Sequence, residues 1–168
     1  KYEQGTENLH SYKTELLQLL PDKKSTVLDV GCGSGVIAAR IERSLGHIVT
    51  GIDVSRRAIE RLRQRGIEGL IADVNDCIPI EDESYDVVWC SDLIEHVQSP
   101  IYLLDEIHRI LDRSGTLLLS TPNSAWFGFR ILHLLGKTCS EIQHPHHIHF
   151  FSFSTLVDLL DDTGFETV

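Results

Sequence analysis

Val27-Leu28-Asp29-Val30-Gly31-Cys32-Gly33-Ser34-Gly35 is an apolar, largely β-branched run that passes without a break into three glycines at alternate positions. Such a run reads as a strand buried in a parallel sheet, and the glycines as the tight turn that carries the chain into a helix. Glycine there lets the backbone bend sharply and come close to a ligand, and a turn of this kind delivers free N–H groups of the helix start to the site. A dinucleotide fingerprint would have a sixth-position glycine, where this chain has Val36, so a nicotinamide reading loses ground at once.

Outward from that turn, short β-branched runs alternate with helical patterns, the signature of βαβ units and a parallel sheet. The pattern predicts a helix over 9–20 stopped by Pro21, a strand at 26–30, a helix at 36–45 and a strand at 47–52. It continues with a helix capped by Ser55 and ended by Gly66, a strand at 68–72, and another at 85–90. Ser99-Pro100 opens a helix to Leu111 in the expected order of cap and N1 proline. A strand at 115–120 and a helix at 155–162 closed by Gly164 follow, and Phe165 to Val168 reads as the start of a strand that is not finished. The fold class expected is α/β, three-layered and Rossmann-like, with a mainly parallel sheet whose C-terminal strands are truncated. Residues 1–168 form one domain in this reading, with a cap or lid insertion at about 124–150.

The chain has 168 residues, 42% of them hydrophobic and 24% charged, the profile of one globular domain. Its formal charge of −10 argues against general affinity for nucleic acid or anionic lipid. No apolar run approaches the ~20 residues that cross a bilayer, and no signal peptide opens the chain, so a cytoplasmic protein is expected. Cys32, Cys77, Cys90 and Cys139 lack CxxC spacing and are expected reduced. The absence of Met and the start at Lys1 suggest that the ends are cut. Arg57, Arg61 and Arg65 recur at helical spacing and read as a solvated helix face.

Carboxylates recur near strand ends: Asp29, Asp53, Asp73 and Asp92. Asp53 stands 18 positions beyond Gly35, where a carboxylate accepts the hydroxyls of a ribose. Strand ends of a parallel sheet share one edge, and ligands of open α/β sheets bind along it. A row of like charges there repels a pyrophosphate and favours a ligand carrying positive charge. Asp92 alone reads better as a loop or cap carboxylate. A cationic nucleoside is the ligand these residues describe, and S-adenosylmethionine, with its ribose, ammonium and sulfonium, meets the description.

VLDVGCGSG at 27–35, GIDVS at 51–55, ADV at 72–74, YDVVWCSDLIEHV at 85–97 and LDRSGTLLLSTPN at 111–123 resemble, in order, the motifs of class I S-adenosylmethionine-dependent methyltransferases. The resemblance is closest to the small-molecule group that includes the quinone-biosynthesis O-methyltransferases. It implies that Asp29 and the turn Gly31, Cys32 and Gly33 hold the methionine part of S-adenosylmethionine, that Asp53 takes the ribose hydroxyls, and that Val54 packs on adenine. It further implies that Asp73 and the backbone of Val74 meet the adenine amino edge, while Ser91 faces the methionine or the transferring methyl. S-adenosylhomocysteine is then the product.

On the acceptor side the sequence leaves more open. His96 lies just beyond the fourth strand and is a candidate general base, with a packing or helix-end histidine as the simpler reading. The run His144-Pro145-His146-His147-Ile148-His149 is similar to the His-rich stretch that the resembled group has before its last helix, which implies an acceptor-binding lid with His144, His147 and His149 facing the acceptor; ordinary loop packing is the alternative. His146 and His149 could offer two metal ligands, but no matching Cys or carboxylate spacing lies nearby, so no metal is expected. Trp126, Phe127, Phe129, Leu132 and Leu135 suggest the apolar underside of a cap and an acceptor of hydrophobic character; core packing is the simpler account of the same stripe. The expected function is methyl transfer to a small molecule. Alternatives are a non-catalytic, methyltransferase-like regulatory module, a nicotinamide oxidoreductase, and a nucleic-acid methyltransferase. The last is opposed by the charge and by Thr121-Pro122-Asn123, which is not the NPPY type. The oligomeric state is not legible.

Overall fold

The computed structural model describes residues 11–168. The elements are α1 (Ser11–Leu17), β1 (Thr26–Val30), α2 (Val36–Leu45), β2 (Ile48–Asp53), α3 (Arg56–Gln64) and β3 (Glu68–Ile71). There follow β4 (Tyr85–Ser91), α4 (Pro100–Ile110), β5 (Leu111–Ser120), α5 (Phe127–Leu134), α6 (Cys139–Ile142) and α7 (Phe153–Asp162). The five strands form one parallel sheet in the order β3-β2-β1-β4-β5. After β3 the chain returns past β1 to lay down β4, so the order reverses between β1 and β4. That reversal opens a crevice at the carboxyl ends of the two strands, the place where open α/β sheets take ligands.

Both sheet faces are apolar at the centre because β1 and β4 each alternate two buried sets. Val87 and Trp89 of β4 pack with Ile41, Ile59 and Leu62 of α2 and α3. Val88 and Cys90 pack on the other face with Leu103, Leu104 and Ile107 of α4. This is the three-layered arrangement expected from the sequence. Leu117, Leu119, Leu156 and Leu160 line an open groove of about 1200 Å³ between β5 and α7.

Several boundaries differ from the sequence reading, each for a local reason. The first helix covers only Ser11–Leu17 within the predicted 9–20; the part before residue 11 lies outside the described residues. β2 is shifted by one residue and ends on Asp53 itself. β5 begins directly at the end of α4, because Leu111 pairs with Tyr85 before an irregularity at 112–115 delays regular register to Thr116 opposite Val87. Within the predicted insertion at 124–150 the chain forms α5 over Phe127–Leu134, and α6 follows on a Thr138–Glu141 capping box. Ser152 caps α7, so that helix starts at Phe153 and not at Thr155.

Phe165 to Val168 forms no strand. Gly164 takes a left-handed φ of 84°, its N–H donates to the Asp161 carbonyl and the Phe165 N–H to the Leu160 carbonyl, a Schellman closure of α7. Phe165 is thereby pinned over the helix end, its ring 5.4 Å from that of His108.

Candidate active site

The turn between β1 and α2 is held by its own donors. The N–H groups of Gly31 and Cys32 both donate to the Ile52 carbonyl, at 2.8 and 2.9 Å, and that of Gly35 to the Cys32 carbonyl at 3.0 Å. Gly33 N–H donates to Asp53 Oδ2 at 2.9 Å. Sequence reasoning expected free N–H groups in this turn; these four are engaged, because β2 lies alongside and its last residue supplies a carboxylate. Gly35 has a φ of 73°, and a Cβ there would stand 2.2 Å from Leu62 Cδ1. Only glycine satisfies both the left-handed backbone and that contact.

What the turn leaves unsatisfied is a carboxylate oxygen. Asp29, the penultimate residue of β1, is 3% exposed, and its Oδ2 has no hydrogen-bond partner among the described residues. Burial raises its pKa from the usual 3.8 to about 7; the Lys13 ammonium opposes the rise and the Asp53 carboxylate adds to it. A buried carboxylate with an unpartnered oxygen is costly alone and becomes stable when a cation meets it.

Along the same edge, Asp53 Oδ1 accepts from Ser55 N–H at 2.8 Å, so each of its oxygens already holds one backbone donor and retains capacity for a second. Val54 follows with its side chain 66% exposed, an apolar surface at the mouth of the site. Asp73 Oδ1 accepts from the backbone N–H and the side-chain amide of Asn75, at 2.9 and 2.8 Å. The Val74 side chain is buried in the core, so only its backbone is available to a ligand. Cys32 likewise turns its side chain inward, against Gly51, and burial pushes its thiol pKa up; its backbone is the part that belongs to the turn. At the end of β4, Ser91 Oγ accepts from Ser120 Oγ at 2.8 Å. Asp92 forms an ion pair with Lys13 at 3.0 Å, in keeping with the loop-carboxylate reading.

The segment after β4 meets the histidine loop. Glu95 is 1% exposed; its Oε2 accepts from Thr121 Oγ1 at 2.9 Å, and its Oε1 is buried without a hydrogen bond, 3.9 Å from His147 Nε2. The Glu95 carbonyl receives both Ile148 N–H and His149 N–H, at 2.9 and 3.1 Å. His96 lies 3.1 Å from the His146 carbonyl through Nδ1 and 4.7 Å ring to ring from His147. Of the predicted acceptor histidines, His144 and His147 gather around His96, whereas His149 stacks beside Phe151 with a buried, unpartnered Nε2. Desolvation holds His147 below the ordinary imidazole range. Glu95 was not singled out by sequence reasoning; a carboxylate inside the apolar run Leu93-Ile94-Glu95-His96-Val97 was the available signal.

The apolar stripe of α5 is not core. No residue of the helix is buried, with Trp126 at its start 61% and Phe127 73% exposed. No residue of the helix belongs to either apolar cluster of the core, which overturns the packing reading.

A family model described as a methyltransferase domain matches residues 4–168. The chain belongs to that family. It is 33% identical over 156 residues to a malonyl-[acyl-carrier protein] O-methyltransferase of Herminiimonas arsenicoxydans, covering 91% of this chain and 57% of that protein. It is 34% identical over 104 residues to a ubiquinone biosynthesis O-methyltransferase of Neisseria meningitidis, covering 58% of this chain and 44% of the relative. A solved S-adenosylmethionine-dependent methyltransferase of Thermotoga maritima superposes with a TM-score of 0.71 at 28% identity, covering 92% of this chain and 72% of that one. The chain spans about half the length of the curated relatives it matches.

The cofactor of this class is S-adenosylmethionine, and the residues present fit it. Asp29 offers a buried oxygen without a partner to a cationic group, Asp53 has hydroxyl-accepting capacity to spare, and a Cβ at Gly33 would meet nothing within 4 Å, so the turn faces open space. Among the described residues no helix is long and apolar enough to cross a membrane.

Proposed function

We propose that this domain transfers a methyl group from S-adenosylmethionine to a small-molecule acceptor. The single observation that carries the reading is the buried, unpartnered Asp29 Oδ2 at the strand-order reversal, beside a turn whose donors are spent on its own shape. Asp29 with the turn Gly31, Cys32 and Gly33 binds the methionine part, Asp53 the ribose, Val54 the adenine face, and Asp73 with the Val74 backbone the adenine edge. Ser91 borders the methionine end.

S-adenosylmethionine supplies an already activated methyl, so no protein nucleophile is needed. The chain's own task is to hold the acceptor within near-attack distance and exclude water. Residues 124–150 act as the cap over the acceptor, and the exposed aromatic side chains of Trp126 and Phe127 favour an acceptor with apolar character. His96 and His147, 4.7 Å apart ring to ring, border the acceptor position from the side of the loop. The net charge of −10 disfavours nucleic acid as acceptor.

The test is a screen of phenolic, carboxylic and amine acceptors with radiolabelled cofactor. Transfer to an apolar small molecule, lost in Asp29→Ala, supports the reading; binding of the cofactor with no transfer to any class contradicts it.

A further inference from the structure

We propose that Glu95, His96 and His147 form a binding site for a divalent first-row transition ion, which goes beyond methyl transfer and does not depend on it. A ligating atom from each of the three lies within 4.8 Å of the others. Ligand atoms around a tetrahedral ion at about 2.1 Å stand about 3.4 Å apart, so the cluster closes on an ion with movement on the order of 1 Å.

The hydrogen bonds around the cluster already resemble those of ligating histidines. His96 Nδ1 faces the His146 carbonyl at 3.1 Å, and a carbonyl only accepts, so Nδ1 carries the proton. His147 Nδ1 faces Gln143 Oε1 at 3.1 Å, and the Gln143 amide is oriented by its Nε2 donating to Ser124 Oγ at 3.0 Å. With Nδ1 of both rings spent on oxygen acceptors, Nε2 is the nitrogen each neutral ring offers a cation. Metal-bound histidines are held in this way, by a carbonyl or carboxylate on the far nitrogen.

The carboxylate supplies the independent observation. Glu95 is 1% exposed, Thr121 fixes its Oε2, and the remaining Oε1 is buried with no hydrogen bond. It stands 3.9 Å from His147 Nε2, too far for a hydrogen bond. A buried carboxylate oxygen without a donor is costly, and an ion held between it and the His147 ring supplies the missing partner. Two imidazoles with one carboxylate select zinc-like ions over magnesium or calcium, which want an all-oxygen shell. Three protein ligands leave a position open to water or to an acceptor oxygen. The loop spacing that sequence reasoning searched lacked a carboxylate; the fold brings one from the segment after β4.

Titration with Co²⁺, whose visible absorption reports its coordination, tests this on the chain alone, without cofactor or acceptor. The expected result is one saturable equivalent, displaced by Zn²⁺ and not by Mg²⁺, weakened roughly 10- to 100-fold in His96→Ala and in His147→Ala. Glu95→Gln should do the same; the exposed His96 variant guards against misfolding, checked by thermal melting. The double variant His144→Ala/His146→Ala should bind as the wild type does. No saturable binding overturns the proposal, and so does binding that is lost in the double variant but kept in His96→Ala and His147→Ala, which would be chelation by surface histidines.

Discussion

The two sides of the crevice are built differently. On the β1–β2 side, Gly31, Cys32, Gly33 and Gly35 spend their N–H groups on neighbouring backbone carbonyls and on the Asp53 side-chain carboxylate, and the turn has one shape. On the β4–β5 side, the loop at 144–149 hangs on the Glu95 carbonyl and a ring of histidine contacts, and α5 beyond it buries none of its residues. A site for an unvarying cofactor gains from a preformed cradle, because ordering it costs nothing at binding. A site for an acceptor gains from a cover that adapts, and such covers come from the less stable end of a fold.

The comparison breaks first at Gly35. Gly35→Ala forces a left-handed alanine and a 2.2 Å approach to Leu62 Cδ1. Strain and overpacking together should remove about 2–5 kcal/mol of stability in urea unfolding. A loss below about 1 kcal/mol would show that the turn is not the rigid side.

Asp53→Ala comes next. It removes an acceptor from Gly33 N–H and Ser55 N–H and from the ribose, and should weaken S-adenosylhomocysteine binding by about 1–3 kcal/mol, or roughly 5- to 150-fold.

Asp29 gives the pH dependence. Because its pKa rises to about 7 on folding from the usual 3.8, between those values the folded chain keeps a proton that the unfolded chain has lost. Its contribution to stability is therefore present in acid and lost as pH rises toward about 7. Asp29→Asn should remove that fall and stabilise the ligand-free domain above neutral pH, as read by thermal melting. A cationic ligand favours the ionised carboxylate, so affinity for S-adenosylhomocysteine should decline below neutral pH, by up to about tenfold per unit. In the Asp29→Asn variant that decline should vanish together with much of the affinity.

The smallest effect belongs to the cover. Leu134→Ser, at a side chain 88% exposed, should change unfolding stability by no more than about 0.5 kcal/mol. A larger loss would return α5 to the core and erase the contrast between the two sides.

How far this was legible in the sequence follows the same division. β1 and α2 fall on the predicted residues, because a buried run ending in spaced glycines is a local signal. Asp29 and Asp53 were legible for the same reason, as residues placed by their strand. The exposure of α5 was not legible, since an apolar stripe looks alike whether it meets a core or solvent. Glu95 was hidden because its meaning lies in a contact with His147, far along the chain. The spent N–H groups of the turn were also invisible, since they depend on how closely β2 runs alongside.

The most direct test of the central claim, that the crevice at Asp29 is a cofactor site, is calorimetric titration of the chain with S-adenosylhomocysteine above neutral pH, wild type beside Asp53→Ala. Saturable binding that weakens in the variant is the result predicted. Absence of binding to the wild type, or equal affinity in both, would contradict the account.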